Sequence, residues 1–174
     1  ASTHYINIQG GTSAQSVSSI SGVGQSFLYD SPGATYTVNQ ISVQLRLESG
    51  AANQDITIQL LDGGWGDASP LATQTINSDQ LDGTFGWKTF NFGDVVLNDN
   101  QTYIVKITTN NADGNVSVAY RSDAWNNSEM IVNGTGNSGA DLNFLLSYND
   151  GSNQAPVNTV PGAQTTNQNT PLIF

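Results

Sequence analysis

An all-β fold, two antiparallel sheets packed face to face as a jelly-roll type sandwich, is what this chain's sequence predicts. Three observations carry that expectation. Apolar residues recur with period two along short runs, so each run turns one face inward and one outward. Turn signals rich in Gly, Asn, Asp and Pro separate the runs at the spacing of a sandwich. No window carries apolar residues at i, i+3, i+4 and i+7 over several turns, so crossover helices, and with them parallel sheets, are not expected.

Taken in order, Thr3 to Ile8 (THYINI) reads as a first, edge strand. Gly10 to Ser16 reads as a polar loop, and Phe27 and Tyr29 alternate with Leu28 in a strand before the Pro32-Gly33 turn. In NQISVQLRLESGAANQDITIQLLDGGWGD, Ile41, Val43, Leu45 and Leu47 alternate with polar residues, as do Ile56, Ile58 and Leu60. The small, polar SGAANQ between them predicts a hairpin. Leu71 and Ile76 mark a short strand, followed by a loop around Asp82-Gly83. Trp87, Thr89 and Asn91 alternate with Lys88, Phe90 and Phe92, so aromatics occupy both phases of one run; Trp87 is expected in the core. Asn98-Asp99-Asn100 separates Val95 and Leu97 from Tyr103, Val105 and Ile107. Asp113-Gly114 is the sharpest hairpin signal and leads to Val116, Val118 and Tyr120. Met130 and Val132, then Leu142, Phe144 and Leu146, complete the set. The expected core is Tyr5, Phe27, Val43, Leu45, Ile56, Ile58, Leu60, Trp87, Val105, Ile107, Val118, Phe144 and Leu146.

From residue 151 the composition changes. GSNQAPVNTVPGAQTTNQNTPLIF has three prolines, no sustained alternation and no aromatic before Phe174. The chain therefore divides into a sandwich module, residues 1–150, and an extended linker, residues 151–174, leading toward a following repeat.

Of the 174 residues only 10% are charged, and the net charge is −10, from 14 acidic against 4 basic residues. Such a surface repels nucleic acid, because no basic stripe is present to neutralise phosphates. No apolar run approaches the ~20 residues that would cross a bilayer as a helix. With no cysteine, disulfides, zinc thiolates and thiol nucleophiles are excluded. His4 is the sole histidine and lies near the chain start, without a nucleophile motif beside it, so acyl-transfer chemistry has no candidates. No run presents two inward acids beside aromatics, the arrangement a glycosidase needs. The expectation is a non-enzyme.

The two loop tryptophans are the sharpest features. Trp65 in DGGWGD and Trp125 in SDAWNN stand among residues that stay hydrated, and an exposed indole calls for a flat partner such as the C–H face of a sugar. Tyr120, Arg121, Asp123 and Asn126 lie beside Trp125 and would direct hydrogen bonds to hydroxyls. The structural alternative is that each ring folds back to cap the sandwich. Asp62, Asp67 and Asp123 are the candidates for a structural calcium ion, which needs six to eight oxygen ligands and so would draw on carbonyls and water as well.

Two stretches carry a family resemblance. APVNTVPGAQTTNQNTPLIF (155–174) resembles the opening of cadherin-like or immunoglobulin-like repeats in giant bacterial surface adhesins of RTX type. The amides Asn167, Gln168 and Asn169 stand where such repeats carry a calcium-ligating acid. The body, through GQSF, VNQISVQLRL, GWKTFNFGDVVLNDNQTYIVKI and SVAYRSDAW, is similar to bacterial and phage sandwich modules that look like carbohydrate-binding modules. The resemblance implies a secreted or bacterial cell-surface module that holds a glycan, with adjacent repeats of the same chain as neighbours. The alternative expectation is a spacer or cap domain of an adhesin with no ligand of its own.

Overall fold

The computed structural model describes residues 3–28, 35–122 and 128–150. Asp123, Trp125, Asn126, the Pro32-Gly33 turn and the tail 151–174 lie outside the described residues. The described residues form thirteen strands, with one 3₁₀ turn at Ser78–Gln80. They are β1 (Thr3–Ile8), β2 (Ser13–Val17), β3 (Val23–Leu28), β4 (Tyr36–Leu47), β5 (Asp55–Leu61), β6 (Ala72–Asn77), β7 (Gly86–Leu97), β8 (Thr102–Thr109), β9 (Val116–Ser122), β10 (Met130–Val132), β11 (Thr135–Asn137), β12 (Ala140–Leu142) and β13 (Phe144–Asp150).

Two antiparallel sheets form the expected sandwich. The seven-stranded sheet runs β1-β13-β4-β9-β12, with β7 on the other edge of β4 and β2 on β9. The six-stranded sheet runs β11-β10-β3-β8-β5-β6. Phe27, Val43, Leu45, Ile56, Ile58, Leu60, Val105, Ile107, Val118, Phe144 and Leu146 are all buried between the sheets, as alternation predicts. Phe27 lies near the rings of Tyr103 and Phe144, with centroids 6.0 and 5.9 Å away.

Two expected core residues are elsewhere. Tyr5 is 68% exposed, because Ile6 and Ile8 take the inward phase of β1. Trp87 is half-buried and not part of the core. Phe90, directly opposite the fully buried Ile41, sets the inward phase of β7, which turns Trp87 to the outer side with its partner Gln44.

The expected hairpins also differ. β4 and β5 belong to different sheets, so the connector 48–54 is a bridge between layers. The same holds for the Asn98-Asp99-Asn100 turn between β7 and β8, and for Asp113-Gly114 between β8 and β9. The tight hairpin is instead β10-β11, whose turn residues Asn133 (φ 48) and Gly134 (φ 84) both take the left-handed conformation that a two-residue type I′ turn requires. Residues 13–16, expected in a loop, pair with β9 together with Val17 as β2.

Two buried polar knots hold the seven-stranded sheet in register. Asn143 interrupts the path from β12 to β13 at the point where the chain leaves β9 and joins β4. Its Oδ1 accepts from the Gly11 amide (3.0 Å), and its Nδ2 donates to the Gly11 carbonyl (2.8 Å) and to Gln44 Oε1 (2.6 Å). Between the sheets, Gln25 Nε2 donates to Asp141 Oδ1 (2.8 Å) while its Oε1 accepts from the Leu142 amide (2.8 Å). Ser128 donates to the same Asp141 oxygen (2.6 Å).

Candidate functional site

The two broad outer faces of the sandwich have different fates. Over the six-stranded sheet, the loop between β5 and β6 folds back. A Cβ built on Gly24 would lie 2.8 Å from Trp65 Cζ3; one on Gly22 would lie 3.2 Å from Cζ2, and one on Gly134 would lie 3.0 Å from Cδ1. The indole therefore rests on a floor of glycines, which is why β3 and the β10-β11 turn carry them. Lys106 lies 4.8 Å from the ring centroid and donates to the Trp65 carbonyl at 3.1 Å. Leu61, fully buried yet outside the inter-sheet core, lies in the strand that feeds this loop. For Trp65 this is the folded-back arrangement expected of a structural ring.

Asp67 organises the same loop. Its Oδ1 accepts from the Ser69 amide (2.9 Å) and its Oδ2 from the Gly63 amide (3.1 Å). The Ser69 amide chiefly holds the carboxyl below its ordinary range, against desolvation that pushes it up, and the Gly63 amide adds to the lowering. Asp62 is exposed beside it. Among the described residues no group of three or more metal-ligating His, Cys, Asp or Glu side chains occurs. Calcium chemistry here would rest on Asp62, Asp67 and backbone carbonyls.

Tyr120 and Arg121 stand in β9, not in a loop, and take opposite phases. Tyr120 packs against the core, while Arg121 is exposed and donates through Nη1 to the Gln9 carbonyl (2.8 Å). They do not converge with Trp65, which belongs to the other sheet's outer face.

The outer face of the seven-stranded sheet is built differently. Register places Gln40 opposite Asn91, Ser42 opposite Thr89 and Gln44 opposite Trp87 along β4 and β7. On the far side of β4 the rows continue through Ser147 to Tyr5 and through Leu145 to Asn7. The Ser42 and Thr89 hydroxyls bond at 2.8 Å. Gln40, Asn91, Asn7 and Tyr5 are exposed. Amides and hydroxyls thus make up most of this face, with Leu145 among them, exposed Val96 beside Thr37 and one aromatic at each edge.

One end of the face is charged. Arg46 stacks over Phe85 at 4.6 Å, and its Nε donates to Glu48 Oε1 at 2.9 Å. Arg46, Glu48 and Asp82 line an open groove of about 590 Å³. The Ser117 hydroxyl, 2.6 Å from Glu48, is the main cause of that carboxyl's lowered pKa, followed by Arg46. A depressed carboxylate pKa stabilises the fold above the ordinary value of 4.5, and that contribution is lost as pH falls through the depressed value. Ser117→Ala is expected to return the Glu48 midpoint toward 4.5 in a carboxyl-carbon NMR titration; an unmoved midpoint would assign the shift to Arg46. Thr84 holds Asp82 low in the same way, through its hydroxyl and amide.

Sequence reasoning missed this face because it treated Trp87 as core. The signal was present: Phe90 and Phe92 share a phase that Trp87 does not. Alternating Gly22 and Gly24 likewise announced that something packs closely on β3.

Fold and surface define an all-β sandwich module in which Trp65 lies half-buried on the outer side of one sheet, and Tyr5 and Trp87 lie on the largely polar outer side of the other. No protein-family model matches the chain, and no curated protein matches it. Among solved structures, it is similar to a chain of the crystal structure of the T13 IBDV viral particle, at 16% identity. That likeness covers 84% of this chain and 35% of the other, with a TM-score of 0.35, so the two folds superpose only loosely. The chain spans about a third of that protein's length.

Proposed function

We propose that this chain is a non-catalytic, extracellular carbohydrate-binding module of a larger bacterial surface or secreted protein. The observation that supports it most is the outer face of the seven-stranded sheet, where Trp87 lies outside the core beside Gln44 and near Ser42, Thr89, Gln40 and Asn91. An indole offers a stacking surface for sugar C–H groups, and amides and hydroxyls both donate and accept toward sugar hydroxyls. The seat of Trp65 favours the second reading, a spacer or cap domain, for that loop alone. A structural calcium ion, with Asp62, Asp67 and Asp123 as the candidate carboxylates, belongs to the proposal as a supporting element and not as the glycan site.

An array of plant, algal and microbial glycans, run with and without chelator, tests this. Trp87→Ala is expected to cut the array signal about threefold to fivefold at concentrations near the Kd, as a fivefold to tenfold loss of affinity requires, and Trp65→Ala to leave it intact. Loss with Trp125→Ala instead would move the site to the 123–127 loop. Loss with chelator alone would make calcium part of binding. A blank array hands the case to the spacer reading.

A further inference from the structure

We infer that the ligand is a linear, uncharged polysaccharide laid obliquely across the strands of the seven-stranded sheet, with Tyr5 and Trp87 as its two stacking positions. This rests on the glycan-binding reading and specifies its site, geometry and ligand class.

The rows of the face carry the inference. Tyr5, Ser147, Gln40 and Asn91 stand side by side across β1, β13, β4 and β7. Asn7, Leu145, Ser42 and Thr89 form the next row, and Gln44 with Trp87 the third. Tyr5 and Trp87 are three strands and four residues apart, which at ~4.8 Å per strand and ~3.3 Å per residue is about 20 Å. Neither ring belongs to the core, and Tyr5 is 68% exposed on the edge strand. A compact sugar would reach one ring only; an extended chain of several sugar units reaches both.

The ground between the rings excludes other partners. A protein interface needs a clustered apolar centre, whereas here the two rings are separated by amides and hydroxyls around a single half-buried leucine, Leu145. These three rows contain no Asp, Glu, Lys or Arg. The two arginines that border the face are already engaged, Arg46 with Glu48 and Phe85 and Arg121 with the Gln9 carbonyl. A polyanionic chain would meet a protein of net charge −10 with no local compensation. Gln40 and Asn91, exposed and directly opposite each other, supply donors and acceptors suited to neutral hydroxyls.

Titration calorimetry with xylo-, cello- and manno-oligosaccharides, from disaccharide to hexasaccharide, tests the geometry, with polyuronate as the charged comparison. In at least one neutral series affinity is expected to rise with length until the chain spans both rings. Tyr5→Ala and Trp87→Ala should each weaken the hexasaccharide about fivefold to tenfold, a ring's typical contribution. Trp87→Tyr should retain most binding, and thermal melts confirm that the variants fold. Length-independent affinity, tighter binding of polyuronate, or no binding to any of the three series overturns the inference. So does a hexasaccharide indifferent to both alanine variants; with a positive array, that outcome leaves the glycan-binding function standing and moves its site.

Discussion

Asn143→Ala is expected to destabilise the domain by about 3–4 kcal/mol, more than truncation of any surface ring. Asn143 is fully buried, and its one carboxamide satisfies both the N–H and the C=O of Gly11 as well as Gln44. Removing it orphans three polar groups, each worth ~1–3 kcal/mol when left without a partner, less whatever water reaches Gly11. The loop cannot slide inward to compensate. A Cβ on Gly11 would already meet the Tyr120 carbonyl oxygen at 2.3 Å, so this backbone is at its closest approach. Asn143→Asp keeps the volume and the acceptor for the Gly11 amide but presents oxygen to the Gly11 carbonyl, and is expected to cost at least as much at neutral pH. Urea denaturation of both variants measures this. A loss under 1 kcal/mol for Asn143→Ala would mean that the β12-β13 junction is held by its strand partners alone.

Gln25→Leu is expected to cost about 2–3 kcal/mol, although leucine is close in size and the site lies between the sheets. Gln25 is fully buried and joins the two layers, from β3 to β12. Leucine would leave Asp141 without its 2.8 Å amide donor and the Leu142 N–H without an acceptor. The cost is thus the one donor lost to Asp141, which keeps the Ser128 hydroxyl, together with the Leu142 N–H left without its acceptor. A double-mutant cycle separates the two effects. Gln25→Leu with Asp141→Leu should cost less than the sum of the single changes, because each removes the other's stranded partner. Strict additivity would show that the two side chains do not act as a unit.

These polar knots had no signature in the sequence. Gln25 sits in GQSF and Asn143 in DLNF, where a buried amide looks like any polar residue on a strand's wet face. The same limit explains Tyr5 and Trp87. In both strands aromatics or aliphatics fall in two phases, and the winning phase is set by the residue across the sheet, Leu146 for Ile6 and Ile41 for Phe90.

What the sequence determined by itself is the existence of most strands, β2 and the short β11 excepted, and for most of those their inward face. That information is local: side chains alternate with period two whatever the strand's neighbours are, so Val43, Leu45, Ile56, Ile58 and Leu60 declare the core unaided. The all-β class followed from that alternation and the turn signals between runs, while composition alone showed that the chain has no cysteine and only four basic residues. Pairing was decided only by the tertiary structure. β4 and β5 alternate identically whether they form a hairpin within one sheet or face each other across two, because main-chain hydrogen bonds carry no side-chain code. The layer each strand joins therefore depends on residues a hundred positions away, such as Phe144 against Val43. That choice then settled the surface. It laid Trp65 on the glycines of β3, sent Tyr120 and Arg121 to opposite faces, and aligned Tyr5 and Trp87 on one polar sheet.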